Sequence, residues 1–187
     1  MNTTPFLIQC GHVSIRKLDN HRFDKIAHVF PKLFWENQES AYIFWNQIPI
    51  RWHYTFEFFA NFDDVLAVCR MLQQNESGAT KATIQTDYFL FDWIFHWSGE
   101  DLQMNASFLA RKKSYQRYAD ALNHVGEIQM TKTAFLNEWT ILLQQLLKCF
   151  VSAGVIINDG TERRKYELLI ELVNQLKNYG QLYTKYA

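Results

Sequence analysis

The chain has 187 residues and no net charge, because 19 lysine and arginine residues balance 19 aspartate and glutamate residues. Hydrophobic residues make up 48% of it and charged residues 20%, which is ordinary for a globular protein and excludes a disordered or fibrous chain. The neutral balance also argues against unspecific binding to nucleic acid or to an anionic membrane.

The N-terminal segment lacks the features of a secretory signal. His12, Arg16 and Lys17 interrupt any apolar run there, and no stretch of ~18 consecutive apolar residues occurs anywhere in the chain. The three cysteines are far apart and odd in number, which favours free thiols over disulfides or a CxxC metal site. We therefore expect a cytoplasmic protein that crosses no membrane.

The first part of the chain, residues 1–110, is predicted to be rich in strands. Residues 6–18 have the character of one or two short strands, and the partly amphipathic residues 21–30 are expected to stop at Pro31, since proline cannot continue a helix. Residues 34–47 are ambiguous by periodicity. Apolar and polar residues alternate over residues 48–59, which predicts a half-buried strand with His53 and Glu57 on its polar face.

A helix is predicted next, with Asn61 as its N-cap and Asp63 and Asp64 in its first turn, followed by a polar loop over residues 75–83. A strand over residues 83–97 then places five aromatic rings on one face: Phe89, Phe91, Trp93, Phe95 and Trp97. The turn SGED leads into a returning strand, which predicts a hairpin inside an antiparallel sheet. Because both faces of the strand look covered, we interpret the rings as core residues, the alternative being a ligand platform.

The last third, residues 111–187, is predicted to be mainly helical. It contains a helix, a short strand over residues 127–130, and two long helices that we expect to pack on the sheet as an antiparallel pair. Thr131 or Thr133 is expected to cap the first long helix, with Gly154 near its end, and Asp159 or Thr161 to begin the second. The sequence therefore predicts a single α+β domain over residues 1–187, with an antiparallel sheet packed against helices.

Four titratable residues are the candidates for chemistry: His53 and Glu57 on one predicted strand, and Asp92 and His96 on another. If these strands pair, two histidines and two carboxylates converge, which is the minimum for a zinc site or for general acid–base catalysis. Asp92 and His96 alone are about 13 Å apart at strand spacing, too far for one metal ion to bind both. Ordinary pairing of polar side chains is the alternative. Since no nucleotide-binding, protease or hydrolase motif is present, we predict no catalytic residue, no cofactor and no metal ion.

The charges are distributed unevenly along the chain. Residues 34–110 hold ten acidic residues against three basic ones, so an acidic middle lies between basic ends. The acidic residues of this segment are Glu36, Glu39, Glu57, Asp63, Asp64, Glu76, Asp87, Asp92, Glu100 and Asp101. Either the segment forms a partner surface, or the fold mixes the charges and they cancel. A basic stretch at residues 111–118 fits a solvated helix face better than a nucleic-acid track.

The order of elements over residues 48–150, together with the phrase FLNEW at residues 135–139, resembles small bacterial immunity proteins of contact-dependent inhibition and related polymorphic toxin systems. The resemblance implies a non-catalytic cytosolic inhibitor that binds a cognate toxin domain. Many such toxins are cationic nucleases, and an acidic surface speeds encounter with a cationic cleft. We therefore predict that partner binding involves Glu57, Asp63, Asp64, Asp87, Asp92, Glu100, Asp101 and Trp97, with Trp35 and Trp45 as further candidate anchors.

Two other functional classes stay open at this point. One is a small enzyme whose site forms around His53, Glu57, Asp92 and His96, and the other is a regulatory protein with a different protein partner. The sequence does not determine the oligomeric state, because near-zero net charge permits self-association without requiring it.

Overall fold

The described residues form two antiparallel sheets, a short parallel strand pair and five α-helices. The computed structural model describes residues 4–18, 21–35, 40–158 and 160–184, with side chains described through residue 174. The strands are β1 (Phe6–Cys10), β2 (Arg22–Phe23), β3 (Ser40–Trp45), β4 (Ile48–His53), β5 (Ser77–Gln85), β6 (Phe89–Ser98), β7 (Asp101–Ala110), β8 (Ile128–Thr131) and β9 (Ile156–Ile157). The helices are α1 (Val29–Leu33), α2 (Phe56–Gln74), α3 (Gln116–His124), α4 (Lys132–Ser152) and α5 (Gly160–Thr184). The α+β class is confirmed, and the last third is mainly helical with β8 and β9 between its helices.

In the two antiparallel sheets each strand pairs with the next strand in sequence, except that β1 pairs with β3. The first sheet has the order β1-β3-β4 and the second the order β5-β6-β7-β8, while β2 and β9 form a two-residue parallel pair. Asn46 and Gln47 connect β3 to β4 with φ angles of 45° and 72°, the positive values that a tight two-residue hairpin turn requires. The turn SGED joins β6 to β7 as predicted, with Gly99 at a φ of 58°.

Three tryptophans join both sheets to α4. Trp52 of β4 stacks on Trp93 of β6 with ring centroids 6.1 Å apart, and Trp139 of α4 meets these rings edge-on at 5.8 and 6.2 Å. All three rings are at most 1% exposed. Buried residues from Phe6 to Val173 form one hydrophobic cluster around them, so the abundant aromatic residues are largely core.

Strand β6 separates buried from exposed residues by strict alternation. Phe89, Phe91, Trp93, Phe95 and Trp97 are all at most 7% exposed, which confirms that the rings belong to the core. The expectation that both faces are covered was wrong, because Leu90 and Ile94 on the opposite face are 39% and 37% exposed. An antiparallel sheet commonly packs one face on the core and leaves the other in water, and this sheet does so.

Two boundaries in the middle of the chain differ from the prediction. The strand predicted over residues 48–59 ends at His53, and α2 begins at Phe56, so Asn61 is not an N-cap and Asp63 and Asp64 lie beyond the first turn. A helix forms here instead of a longer strand because Phe58, Phe62 and Val65 recur at helical spacing and are all buried. The loop predicted over residues 75–83 is mostly β5, because pairing with β6 over nine residues overrides the low strand propensity of SGATK.

The boundaries of α1, α4 and α5 also bear on the predictions. Pro31 does not stop a helix but lies within the first turn of α1. Backbone N–H groups in the first turn make no hydrogen bond within the helix, so proline removes none there. Thr131 is confirmed as the cap of α4, since its hydroxyl accepts a hydrogen bond from the Ala134 N–H at 3.1 Å. Gly154 follows that helix with a φ of 66°. The last helix begins at Gly160, and Asp159 lies outside the described residues.

Side chains cap three strand edges that no other strand covers. The amide of Asn61 both donates to and accepts from the backbone of Gln85 in β5, and Asn123 does the same for Phe108 in β7. The carboxylate of Glu138 on α4 accepts from the Ile8 N–H of β1 at 2.8 Å. These contacts satisfy backbone groups that an edge strand would otherwise leave unpaired.

Candidate functional site

Three titratable side chains meet where β4 leads into α2 and β5 turns into β6. His53 ends β4, Glu57 lies in the first turn of α2, and Asp87 lies between β5 and β6. One ligand atom of each lies within 4.8 Å of the other two. His53 and Glu57 are 3% and 1% exposed, whereas Asp87 is exposed. The cluster is therefore buried on one side and open to solvent at Asp87.

Backbone hydrogen bonds fix the Glu57 carboxylate. Its Oε2 accepts from the His53 N–H at 2.9 Å and its Oε1 accepts from the Asp87 N–H at 3.1 Å. Burial raises the pKa of Glu57 to about 7, while the hydrogen bond from Asp87 acts in the opposite direction. Each carboxylate oxygen keeps a further lone pair, so the group can still bind a proton or a cation.

The ring of His53 is held by a short polar chain. Its Nδ1 lies 3.2 Å from the Ser40 hydroxyl, which accepts from the Arg51 Nε at 2.9 Å. Burial lowers the pKa of His53, and the charge of Arg51 lowers it further. The imidazole is therefore held in its neutral form at pH 7, which is the form that binds metal ions or accepts a proton.

The predicted quartet is only half assembled. His53 and Glu57 are together, but Asp92 and His96 lie on the exposed side of β6, in a different sheet from β4. Asp92 pairs there with Lys81 at 2.7 Å. Asp87 takes the third place in the cluster. The sequence did not indicate Asp87, because its position beside His53 and Glu57 depends on the turn between β5 and β6, which was not predicted.

The acidic segment does not form one surface among the described residues. Asp87 lies at the start of β6, whereas Glu100 and Asp101 follow its end, and ten strand residues span about 33 Å. Asp63 on α2 forms an ion pair with Lys165 at 2.6 Å, and Asp64 is exposed beside it. The fold thus divides the predicted acidic surface between α2, the outside of the sheet and the two ends of β6. Glu36 and Glu39 lie outside the described residues.

Burial removes three predicted contact residues from the surface. Glu57 is 1% exposed, Trp97 is 7% exposed and donates its ring N–H to the Asn75 carbonyl, and Trp45 is fully buried. The remaining candidate ring, Trp35, is 46% exposed, with the Arg16 guanidinium 4.3 Å above it. The prediction that Trp45 and Trp97 are exposed anchors was wrong, because both rings pack into the core.

Three exposed aliphatic side chains lie together on the side of the second sheet that faces away from the core. Leu109 of β7 is 62% exposed and lies directly opposite Leu90 of β6. Ile94 lies further along β6 on the same face. We call this surface the outer face. It consists of Lys81, Thr83, Leu90, Asp92, Ile94, His96, Asn105, Ser107 and Leu109.

Comparisons with known proteins add no relative. No family model, no curated protein and no solved structure matches the chain. Within the described residues, no helix has both the length and the apolar character that a membrane crossing requires.

Proposed function

We propose that this protein is a cytoplasmic immunity protein that binds a cognate bacterial toxin domain and neutralises it by covering its functional surface, without catalysing a reaction. The observation that supports this proposal most directly is the outer face. It is a broad sheet surface with three exposed aliphatic side chains that the core does not need.

The composition of the outer face fits a protein-binding surface. Leu90 and Leu109 form a cross-strand pair, so their side chains are neighbours about 5 Å apart. Polar groups surround them, among them the Lys81–Asp92 ion pair and His96. An apolar centre with a polar rim is the usual arrangement of a protein–protein interface, and a rigid sheet requires little ordering when it binds.

The acidic residues near this face fit a role in encounter. Asp92 lies within the face, and Glu100 and Asp101 lie in the turn at the end of β6. Charges at the edge of an interface mainly accelerate association and disfavour wrong partners, while the apolar centre limits dissociation. Asp63 and Asp64 lie on α2, away from the face, so we expect them to contribute less than the sequence predicted.

A growth assay with a candidate toxin domain, taken from a gene adjacent to this one, tests the proposal. Induced toxin should arrest growth of a bacterial host, and co-expression of this protein should restore it. Leu109→Arg should abolish protection and weaken the complex at least ~10-fold by calorimetry, because it places a charge in the apolar centre.

Ile141→Arg is the matched control, since Ile141 is 56% exposed on α4, away from the outer face. This variant should protect like the unchanged protein. Equal affinity of both variants for the toxin would exclude the outer face as the binding surface. Growth arrest by the toxin despite abundant folded protein would contradict the immunity function itself.

A further inference from the structure

We propose that His53, Glu57 and Asp87 form a binding site for one divalent transition-metal ion, for which zinc is the appropriate probe. The site lies outside the outer face and does not depend on the proposed immunity function. It would join the start of α2 to the turn between β5 and β6 through a single ion.

The donor set suits such an ion. One imidazole nitrogen and two carboxylates are typical ligands of zinc and of other first-row divalent ions, whereas magnesium and calcium prefer oxygen donors alone. The carboxylates of Glu57 and Asp87 lie within 4.8 Å of each other, so their negative charges repel, and a cation between them removes that repulsion.

The geometry is close to that of a bound ion. Tetrahedral zinc with ligands at about 2.0–2.1 Å separates its ligand atoms by roughly 3.4 Å. The three ligand atoms here all lie within 4.8 Å of one another, so each pair needs to converge by at most about 1.4 Å. Asp87 supplies that movement, because it is an exposed turn residue, while the other two ligands are fixed by burial.

A layer of hydrogen bonds already orients the two buried ligands. The Ser40 hydroxyl lies 3.2 Å from Nδ1 of His53, and this hydrogen bond fixes the orientation of the imidazole ring. Two backbone N–H groups hold Glu57 while leaving one lone pair free on each oxygen. Metal sites in proteins use the same kind of support to reduce the cost of ordering their ligands.

The arrangement also leaves room for a further ligand. Three protein ligands fill three of zinc's four positions, and the exposed side of the cluster at Asp87 is where a water molecule can complete the shell. Ions enter from this side, because His53 and Glu57 are otherwise enclosed by the protein.

Zinc titration of the full-length protein after chelator treatment tests the proposal. Calorimetry should give one zinc ion per chain, and cobalt as a substitute should give visible absorption bands typical of a site with nitrogen and oxygen ligands. Asp87→Asn should weaken zinc binding at least ~10-fold and remove the cobalt bands, because it removes a charged ligand. Asp87 is exposed, so this variant should keep the fold of the unchanged protein.

The double variant Asp92→Asn, His96→Gln is the matched control, since it removes one carboxylate and one imidazole from the outer face. It should bind zinc like the unchanged protein. Failure of the unchanged protein to bind zinc or cobalt at millimolar concentration would overturn the proposal. Zinc binding that Asp87→Asn leaves intact would also overturn it, because the ion would then be bound elsewhere, for example at the cysteines. Neither result requires the toxin, so the immunity proposal stands or falls separately.

Discussion

The two faces of β6 differ in what constrains their residues. On the inner side, five aromatic rings at most 7% exposed pack against both sheets and α4. On the outer side, Leu90 and Ile94 are more than one-third exposed, next to a charged pair and a histidine. The inner residues are explained by folding alone. The outer aliphatic residues contribute little to the core, and this is the observation on which the proposed partner surface rests.

The largest expected difference between the two faces lies at adjacent residues. Trp93→Ala should lower the free energy of unfolding by about 3–5 kcal/mol, because it leaves a cavity between Trp52 and Trp139. Ile94→Thr should change it by less than about 1 kcal/mol, since it replaces one exposed β-branched residue with another. Urea unfolding followed by circular dichroism measures both values.

Trp93→Phe keeps this test informative if the alanine variant does not fold. The Trp93 ring N–H is buried without a hydrogen-bond partner among the described atoms, so phenylalanine removes an unsatisfied group together with part of the ring. We expect a loss smaller than that of the alanine variant. Similar losses for Trp93→Ala and Ile94→Thr would show that the two faces are not divided as described.

The edge of the second sheet extends the comparison, because contacts at the edge belong to neither the inner nor the outer face. Asn61→Ala should lower the free energy of unfolding by about 1–3 kcal/mol, since Asn61 is 1% exposed and satisfies both backbone groups of Gln85. Asn105→Ala on the outer face is the control and should lose less. Urea unfolding again measures the difference, and hydrogen exchange at Gln85 should accelerate only in the Asn61 variant. Equal losses would mean that the edge contact adds no stability.

Local signals in the sequence were sufficient for part of the fold. The alternation of β6, the SGED turn and the Thr131 cap were predicted correctly because each depends on residues that are close in sequence. Strand β5 was missed because SGATK has little strand propensity and is ordered by β6. Asn61 looked like a helix cap, yet it bonds a strand edge 24 residues away, which no local pattern indicates.

The candidate site was predicted in part and for the wrong local reason. His53 and Glu57 were placed on one strand face, but a helix start brings them together, through the His53 N–H and the Glu57 carboxylate. Asp92 and His96 were excluded because β4 and β6 belong to different sheets. Asp87 joins the cluster through a turn whose position depended on the unrecognised strand β5. Chemistry-bearing residue types are visible in a sequence, whereas their convergence depends on strand pairing between distant segments.

The smallest expected effect concerns the half-buried carboxylate of Glu138 on α4. Burial raises the pKa of Glu138, and the Ile8 N–H that it accepts from opposes this shift. Because the folded state then holds this proton more tightly than the unfolded state, Glu138 makes the protein less stable as pH rises from about 4.3 through its folded-state pKa. Glu138→Gln keeps an acceptor for Ile8 without the charge, so its melting temperature relative to the unchanged protein should rise between pH 4.5 and pH 7.5.

Glu127→Gln should shift the opposite way, since hydrogen bonds from Gln103 and Gln129 lower the pKa of Glu127 and stabilise its charged form. A difference in melting temperature for Glu138→Gln that does not change with pH would mean that folding leaves the pKa of Glu138 unchanged.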